Sequence, residues 1–293
     1  MTLAQLIPIV LQISVGLIVF SVALQARDGD LSYLLRKPSL LARSLVAMNL
    51  VMPALAVALA FVFHLRPEVE VALILLAVAP VPPVLPGKQR KAGGNVSYAI
   101  GLLTLSALVA IVTVPASIAI IGRFFGRDIH VPVGLIFKIL AISVLGPLML
   151  GAFFRRMAPA LAERLAKPLS TIGSLLLLGA IIPFFGAAWP AIVRQVGEFT
   201  LIGIGLFAIA GLVVGHLLGG PAPQDRTVLA LSTATRHPGI ALALSGIVAP
   251  GNAGLAASVL LATLVTAVVT APYVQRRKRG QAALAATAVP DRA

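Results

Sequence analysis

Residues 227–248 read TVLALSTATRHPGIALALSGIV, an apolar stretch of membrane-crossing length that is interrupted near its middle by Thr235-Arg236-His237-Pro238-Gly239. Proline lacks a backbone donor and clashes with the turn before it, so a helix entering this segment has to break. In hydrocarbon each unpaired backbone group costs several kcal/mol, and an ionisable side chain at the bilayer centre costs roughly 3 kcal/mol or more. A charged break persists where it lines a polar cavity, so the pentapeptide marks a candidate substrate path through a membrane.

The remainder of the chain agrees with a membrane setting. Of its 293 residues, 59% are hydrophobic and 11% charged, against about 25% charged in a soluble domain. Nine apolar spans are expected at roughly 4–25, 39–64, 69–92, 95–122, 132–154, 168–187, 199–219, 227–249 and 253–275, each long enough for a bilayer crossing. Together they form a single transmembrane domain over 1–279, followed by a disordered tail at 280–293. The stretch 1–26 lacks the basic leading segment of a cleaved signal peptide and reads as the first span. No cysteine is present, which excludes disulfides and cysteine metal sites.

The net charge of +14 would suggest nucleic acid in a soluble protein. Here the Lys and Arg residues sit mostly in short clusters between apolar runs, so the excess reads as membrane topology and no nucleic-acid partner is expected. With the N-terminus outside, outer loops hold only Arg66, Arg123, Arg127 and Arg194. The clusters Arg36-Lys37, Lys88-Gln89-Arg90-Lys91, Arg155-Arg156 and Arg276-Arg277-Lys278-Arg279 then all fall inside. The C-terminus and tail are therefore expected in the cytoplasm, and the chain in the plasma (inner) membrane.

The third span is also interrupted, by Pro80, Pro82, Pro83 and Pro86. The two interrupted spans lie five apart, so spans 5–9 read as an inverted repeat of an earlier unit whose first helix is missing. Paired broken helices crossing at the midplane of an inverted repeat are a recurrent secondary-transporter design. The fold class is accordingly all-α, a polytopic membrane protein of nine transmembrane helices with two broken crossing helices. No P-loop, HExxH or GxSxG signature occurs, so an enzyme is not expected.

Candidate substrate-binding residues follow from the two breaks and the polar residues near them: Asn49, Pro80, Pro83, Pro86, Asn95, Ser232, Thr233, Thr235, Arg236, His237, Pro238 and Gly239. Each hydroxyl or amide is equally accounted for by an interhelical hydrogen bond. Arg236 has two compatible readings. Its guanidinium fork suits a carboxylate or phosphate, and it equally suits tying the break to backbone carbonyls. His237 titrates nearest neutrality and is the candidate for proton coupling, against a purely structural hydrogen-bonding role. The Lys88–Lys91 run reads as the positive-inside signal, or as a vestibule that attracts anions. Lys138 reads as a snorkelling residue.

Four segments give the chain a family likeness: Arg36-Lys37-Pro38 with Asn49 and Met52-Pro53-Ala54, Ala79-Pro80 with Gly94-Asn95-Val96, Gly146-Pro147 to Gly151 with Arg155-Arg156, and the break ending His237-Pro238-Gly239. In order and spacing they resemble the bile acid:sodium symporter family. The resemblance implies a panel domain and a core domain, with the broken helices crossing in the core, and sodium-coupled uptake of organic anions. The sequence departs from it where the family holds sodium. Leu85 and Pro86 stand at the family's Ser-Asn pair, Ala99 and Leu103 at its hydroxyls, Ser232 and Arg236 at its glutamate and glutamine, and Met48 at a further glutamine.

A hard cation needs several oxygen ligands and usually a carboxylate. All nine acidic residues map to loops, span ends or the tail. The reading is secondary transport of a small organic anion without the family's sodium coupling, with no metal and no cofactor. The alternatives are a sodium-coupled symporter with relocated ligands and a non-transporting membrane ligand sensor.

Overall fold

The computed structural model describes residues 3–27, 29–124, 129–197 and 199–287. The described residues are helical apart from turns and short connections, and contain no strand. The helices are α1 (Leu3–Leu24), α2 (Pro38–Val46), α3 (Met52–Phe63), α4 (Pro67–Val78), α5 (Leu85–Lys91), α6 (Val96–Phe124) and α7 (Val133–Leu140). They continue with α8 (Gly146–Met157), α9 (Pro159–Arg194), α10 (Thr200–Leu218), α11 (Pro223–Ala234), α12 (Pro238–Val248) and α13 (Ala253–Thr287). Wide π turns over Ala47–Val51 and Ala141–Leu145 join α2 to α3 and α7 to α8 into two long rods.

Prolines punctuate this order for a simple reason. The first residues of a helix have no intrahelical acceptor for their N–H, so proline costs nothing there and its fixed φ suits the turn. Pro38, Pro67, Pro159, Pro223 and Pro238 each open a helix. Each π turn is followed by a proline as well, Pro53 and Pro147.

Seven helical stretches among the described residues are long and apolar enough to cross a membrane. Two further apolar segments are split into the pairs α4/α5 and α11/α12. Large apolar side chains point outward along the long helices, as with Leu217 at 74% and Val268 at 72% exposed. That pattern inverts a soluble surface and fits contact with lipid. α9 differs from the expected span at 168–187. It runs unbroken for 36 residues, about 54 Å at 1.5 Å per residue, and carries Pro168, Pro183 and Pro190 within it. α13 likewise continues to Thr287, so residues 280–287 of the expected disordered tail are helical. Residues 288–293 lie outside the described residues.

The interior divides unevenly. One large apolar cluster draws on α2 to α7, on the end of α9 through Ile192, and on α10 to α13, while two small ones join α1 to α8 and to the first half of α9 through Val19, Ala23, Leu24, Leu148, Ala162 and Ala166. Without a hydrophobic drive between helices in lipid, close packing and polar contacts carry the assembly. The tightest case is α10 against α11. A Cβ at Gly215 would fall 2.5 Å from both the Ala230 Cα and the Leu229 carbonyl, and one at Gly211 2.7 Å from the Ala234 Cα. Thr233 Oγ then reaches across to donate to the Gly211 carbonyl at 2.5 Å. The glycines thus hold α11, and with it the second interrupted segment, flush against a continuous helix.

Candidate functional site

Residues 79–84, Ala-Pro-Val-Pro-Pro-Val, separate α4 from α5 without helix. Three prolines in four positions remove the donors a helix would need, and each disfavours the helical conformation of the residue before it. Pro80 to Pro83 are buried, so the unwound backbone has to find partners within the protein. Val81 N–H donates to Ser106 Oγ on α6 at 3.4 Å. In the second pair, Thr235, Arg236 and His237 connect α11 to α12, with Thr235 and His237 both extended. The interruptions are shorter than the sequence suggests. Pro86 lies in the first turn of α5, and Pro238-Gly239 open α12.

The two interruptions meet. His237 N–H donates to the Pro80 carbonyl at 2.9 Å. Its Nδ1 accepts from Ile240 N–H at 3.4 Å, capping α12. One turn away from the crossing, Gln89 on α5 is fully buried and donates to the Val228 carbonyl at 2.9 Å and to Ser232 Oγ at 2.7 Å on α11. The broken helices are therefore tied at two levels, once by backbone and once by side chains.

Arg236 sits at the centre of this crossing and is 4% exposed. Its Nε donates to the Leu76 carbonyl at 3.3 Å, and its Nη2 to the Met48 carbonyl at 2.7 Å and to the Ala77 carbonyl. Helix breaks leave these acceptors without their usual i+4 donors, although the Leu76 carbonyl also accepts from the Ala79 N–H at 3.1 Å. Leu76 and Ala77 belong to the last turn of α4, where carbonyls lack the i+4 donors of a continuing helix and the helix dipole is negative. Met48 lies in the π turn. Met52 N–H goes to the Ala47 carbonyl, and the next residue, Pro53, has no N–H to give. The guanidinium thus satisfies oxygens from two separate helices as a bound cation would. Four buried polar atoms around the crossing have no partner among the described residues: Arg236 Nη1, His237 Nε2, Thr235 Oγ1 and Gln89 Oε1.

The other expected site residues are dispersed. Asn49 Nδ2 donates to the Leu45 carbonyl at 3.3 Å, and its Oδ1 accepts from Thr113 Oγ1 at 3.4 Å, joining its rod to α6. Asn95 caps α6 by accepting from Tyr98 N–H at 3.2 Å, and donates to Asp225 Oδ1 and to Tyr33 Oη, each at 2.9 Å. Thr233 faces α10 and Ser232 faces Gln89. The structure therefore brings together Pro80, Arg236 and His237, adds Ser232 through Gln89, and turns Asn49, Asn95 and Thr233 to joints elsewhere. Gln89 and the Met48 carbonyl are the members that side-chain reasoning passes over. Gln89 is hidden inside a basic run, and Met48 contributes only its backbone.

A cavity of about 320 Å³ opens beside the first interruption, between α1 and α9 on one side and α5 and α13 on the other. Val84, Pro86 and Gly87 contribute to its wall, as do Ser170 and Ser174 of α9. Four cations line it, Lys88, Arg90, Lys91 and Lys278, and no acidic residue does. Lys88 Nζ donates to Thr270 Oγ1 at 3.0 Å and Arg90 donates to Gln25 Oε1. No group of three or more His, Cys, Asp or Glu side chains that could hold a metal ion occurs among the described residues.

The family model described as the sodium bile acid symporter family matches residues 12–195. Among curated proteins, the chain is 29% identical over 174 residues to an uncharacterized sodium-dependent transporter, YocS, of Bacillus subtilis, covering 58% of this chain and 53% of that protein. It is 27% identical over 209 residues to the P3 protein of Homo sapiens, covering 67% of this chain and 42% of that protein. The mouse P3 protein matches at 27% over 212 residues, with 43% of that protein covered. The chain thus spans about half the length of the curated relatives it matches.

Proposed function

This chain belongs to the sodium bile acid symporter family, and we propose that it is a secondary transporter of a small organic anion that works without the family's sodium coupling. The observation that carries the proposal is the Arg236 guanidinium, which holds the Met48, Leu76 and Ala77 carbonyls at the crossing. A sodium ion seeking those oxygens would meet a fixed positive charge. Two unit charges about 4 Å apart repel by roughly 4 kcal/mol at an effective dielectric of 20. Leu85, Pro86, Ala99 and Leu103, at the positions the resemblance assigns to sodium ligands, offer no side-chain oxygen.

The anion preference rests on the cavity beside the first interruption. Four cations and no acid make it a focus of positive potential, with apolar walls from Ile18, Val22, Leu177 and Val274. A small carboxylate or sulfonate with an apolar body suits that lining. In this reading Arg236 shapes the crossing, and Lys88, next to Pro86 and Gly87, meets the substrate.

The same proposal includes nine spans with each broken pair counted as one, an inverted repeat, and an inner-membrane location with the N-terminus outside. The broken pairs five spans apart and the basic clusters support it. His237 is the imidazole at the crossing, with Nε2 free among the described residues, and is the carrier we assign to any proton coupling.

A second reading, sodium coupling through relocated ligands, is favoured by the name of the Bacillus subtilis relative, a sodium-dependent transporter. The test of the anion proposal is a solute screen by thermal shift in detergent, followed by uptake into proteoliposomes. A ligand stabilises the state it binds, so carboxylates and sulfonates should raise the melting temperature and be taken up. Stabilisation and uptake confined to cationic or neutral solutes would overturn the proposal.

A further inference from the structure

Well away from the crossing, α1 and α8 end side by side and leave a cleft of about 940 Å³ between them. Of the α8 residues that line it, Met149, Ala152, Phe153 and Arg156 follow the three- and four-residue spacing of one helix face, and Arg155 flanks them. Along that face the chemistry changes from apolar to cationic. The end of α1 and the residues just past it show the same gradient, from Ala23 and Ala26 to Arg27. The cleft thus has an apolar floor that continues onto the lipid-facing surface, where Met149 is 60% and Phe153 66% exposed, and a rim of Arg27, Arg155 and Arg156.

Three guanidinium groups gathered at one rim repel one another unless an anion joins them. The one carboxylate among the described residues of the connecting segment, Asp30, does not fill that role. Asp30 is buried, and its Oδ2 accepts from the Arg27 backbone N–H at 2.7 Å. Among the described residues, the one side-chain hydrogen bond of the three is Arg155 Nη1 to the Pro159 carbonyl, long at 3.5 Å. Arginine matches phosphate oxygens with paired N–H donors. A ligand that fits the whole cleft must therefore carry a phosphate at one end and hydrocarbon at the other.

We propose that this cleft binds an anionic phospholipid, its phosphate between Arg27, Arg155 and Arg156 and an acyl chain along Met149 and Phe153. Basic pockets between transmembrane helices recognise lipid headgroups in this way. The bound lipid would brace the end of α1 against α8, the contact that joins these helices through Val19, Ala23 and Leu148.

The test uses the full chain, purified in detergent and delipidated, then titrated with dioleoyl phosphatidylglycerol or dioleoyl phosphatidylcholine and read by native mass spectrometry. The parent should hold phosphatidylglycerol about tenfold more tightly than phosphatidylcholine. The double variant Arg155→Gln/Arg156→Gln should lose that preference. Arg164→Gln/Arg276→Gln, which removes equal charge outside the cleft, should keep it. Ala152→Trp fills the cleft without altering charge and should lose phosphatidylglycerol too, which covers the case of the arginine double variant failing to fold. Equal binding of the two lipids, equal loss in both double variants, or full retention in Ala152→Trp would overturn the proposal. Displacement of the lipid by millimolar inorganic phosphate would also overturn it, and would assign the rim to free phosphate.

Discussion

Replacing Arg236 with methionine keeps the length and apolar bulk of the side chain and deletes every donor. Three carbonyls, of Met48, Leu76 and Ala77, then lose the guanidinium in a buried site, and of these Leu76 keeps the Ala79 N–H. Hydrogen bonds to a charged group contribute about 1.5–3 kcal/mol each, so the gross loss is about 4–9 kcal/mol. Against this, the parent buries a guanidinium with no carboxylate beside it, and removing that burial returns several kcal/mol. The difference is a net destabilisation of about 2–4 kcal/mol, or a fall of roughly 5–10 °C in melting temperature for a chain of this size. Scanning fluorimetry in detergent reads the shift directly. Arg236→Lys should fall between, because an ammonium keeps the charge but cannot present the fork. In Arg236→Ala the vacated carbonyls become available, so sodium chloride should stabilise it more than potassium chloride does. A melting temperature for Arg236→Met equal to the parent's would refute the claim that the guanidinium holds the crossing together.

Three further outcomes follow from the same geometry. Gly215→Leu drives a side chain into Ala230 and Leu229; overpacking costs about 1–3 kcal/mol, and a lowered melting temperature with unfolded material in size-exclusion profiles should report it. Lys88→Gln removes one of the four cations of the cavity beside the first interruption, and anion uptake in proteoliposomes should show KM raised roughly fivefold, about 1 kcal/mol of lost attraction, with kcat little changed. If uptake is driven by an inward proton gradient, His237→Gln should abolish the response to that gradient while leaving exchange of labelled for unlabelled substrate intact; an unchanged gradient response would remove His237 from coupling.

The all-helical class and the two interruptions are legible in the sequence, because lipid leaves a helix few alternatives and proline fewer still. Both interruptions were expected from Pro80, Pro82, Pro83 and Pro238, and the structure shows them in direct contact. They are shorter than the proline positions suggest because proline is also a favoured residue of a helix's first turn, as Pro86 and Pro238 show. α9 exceeds its expected span because Pro168, Pro183 and Pro190 are accommodated within one continuous helix.

The composition of the site was less legible. Arg236 announced itself by being a charge in an apolar run, yet its acceptors are backbone oxygens that no side-chain pattern encodes. The Met48 carbonyl is available through a π turn and Pro53, far from residue 236 in the sequence. Asn49 and Asn95 looked like cavity residues because an amide within an apolar run suits a polar cavity and an interhelical joint equally well. In the structure both amides make interhelical hydrogen bonds.

The central claim is that a fixed guanidinium stands where a coupling cation would act, and the most direct measurement is uptake of a labelled organic anion into proteoliposomes with external sodium replaced by potassium at constant ionic strength. The account predicts the same initial rate in both salts, and no acceleration by an inward sodium gradient. Uptake that collapses in potassium and is restored by sodium would contradict it.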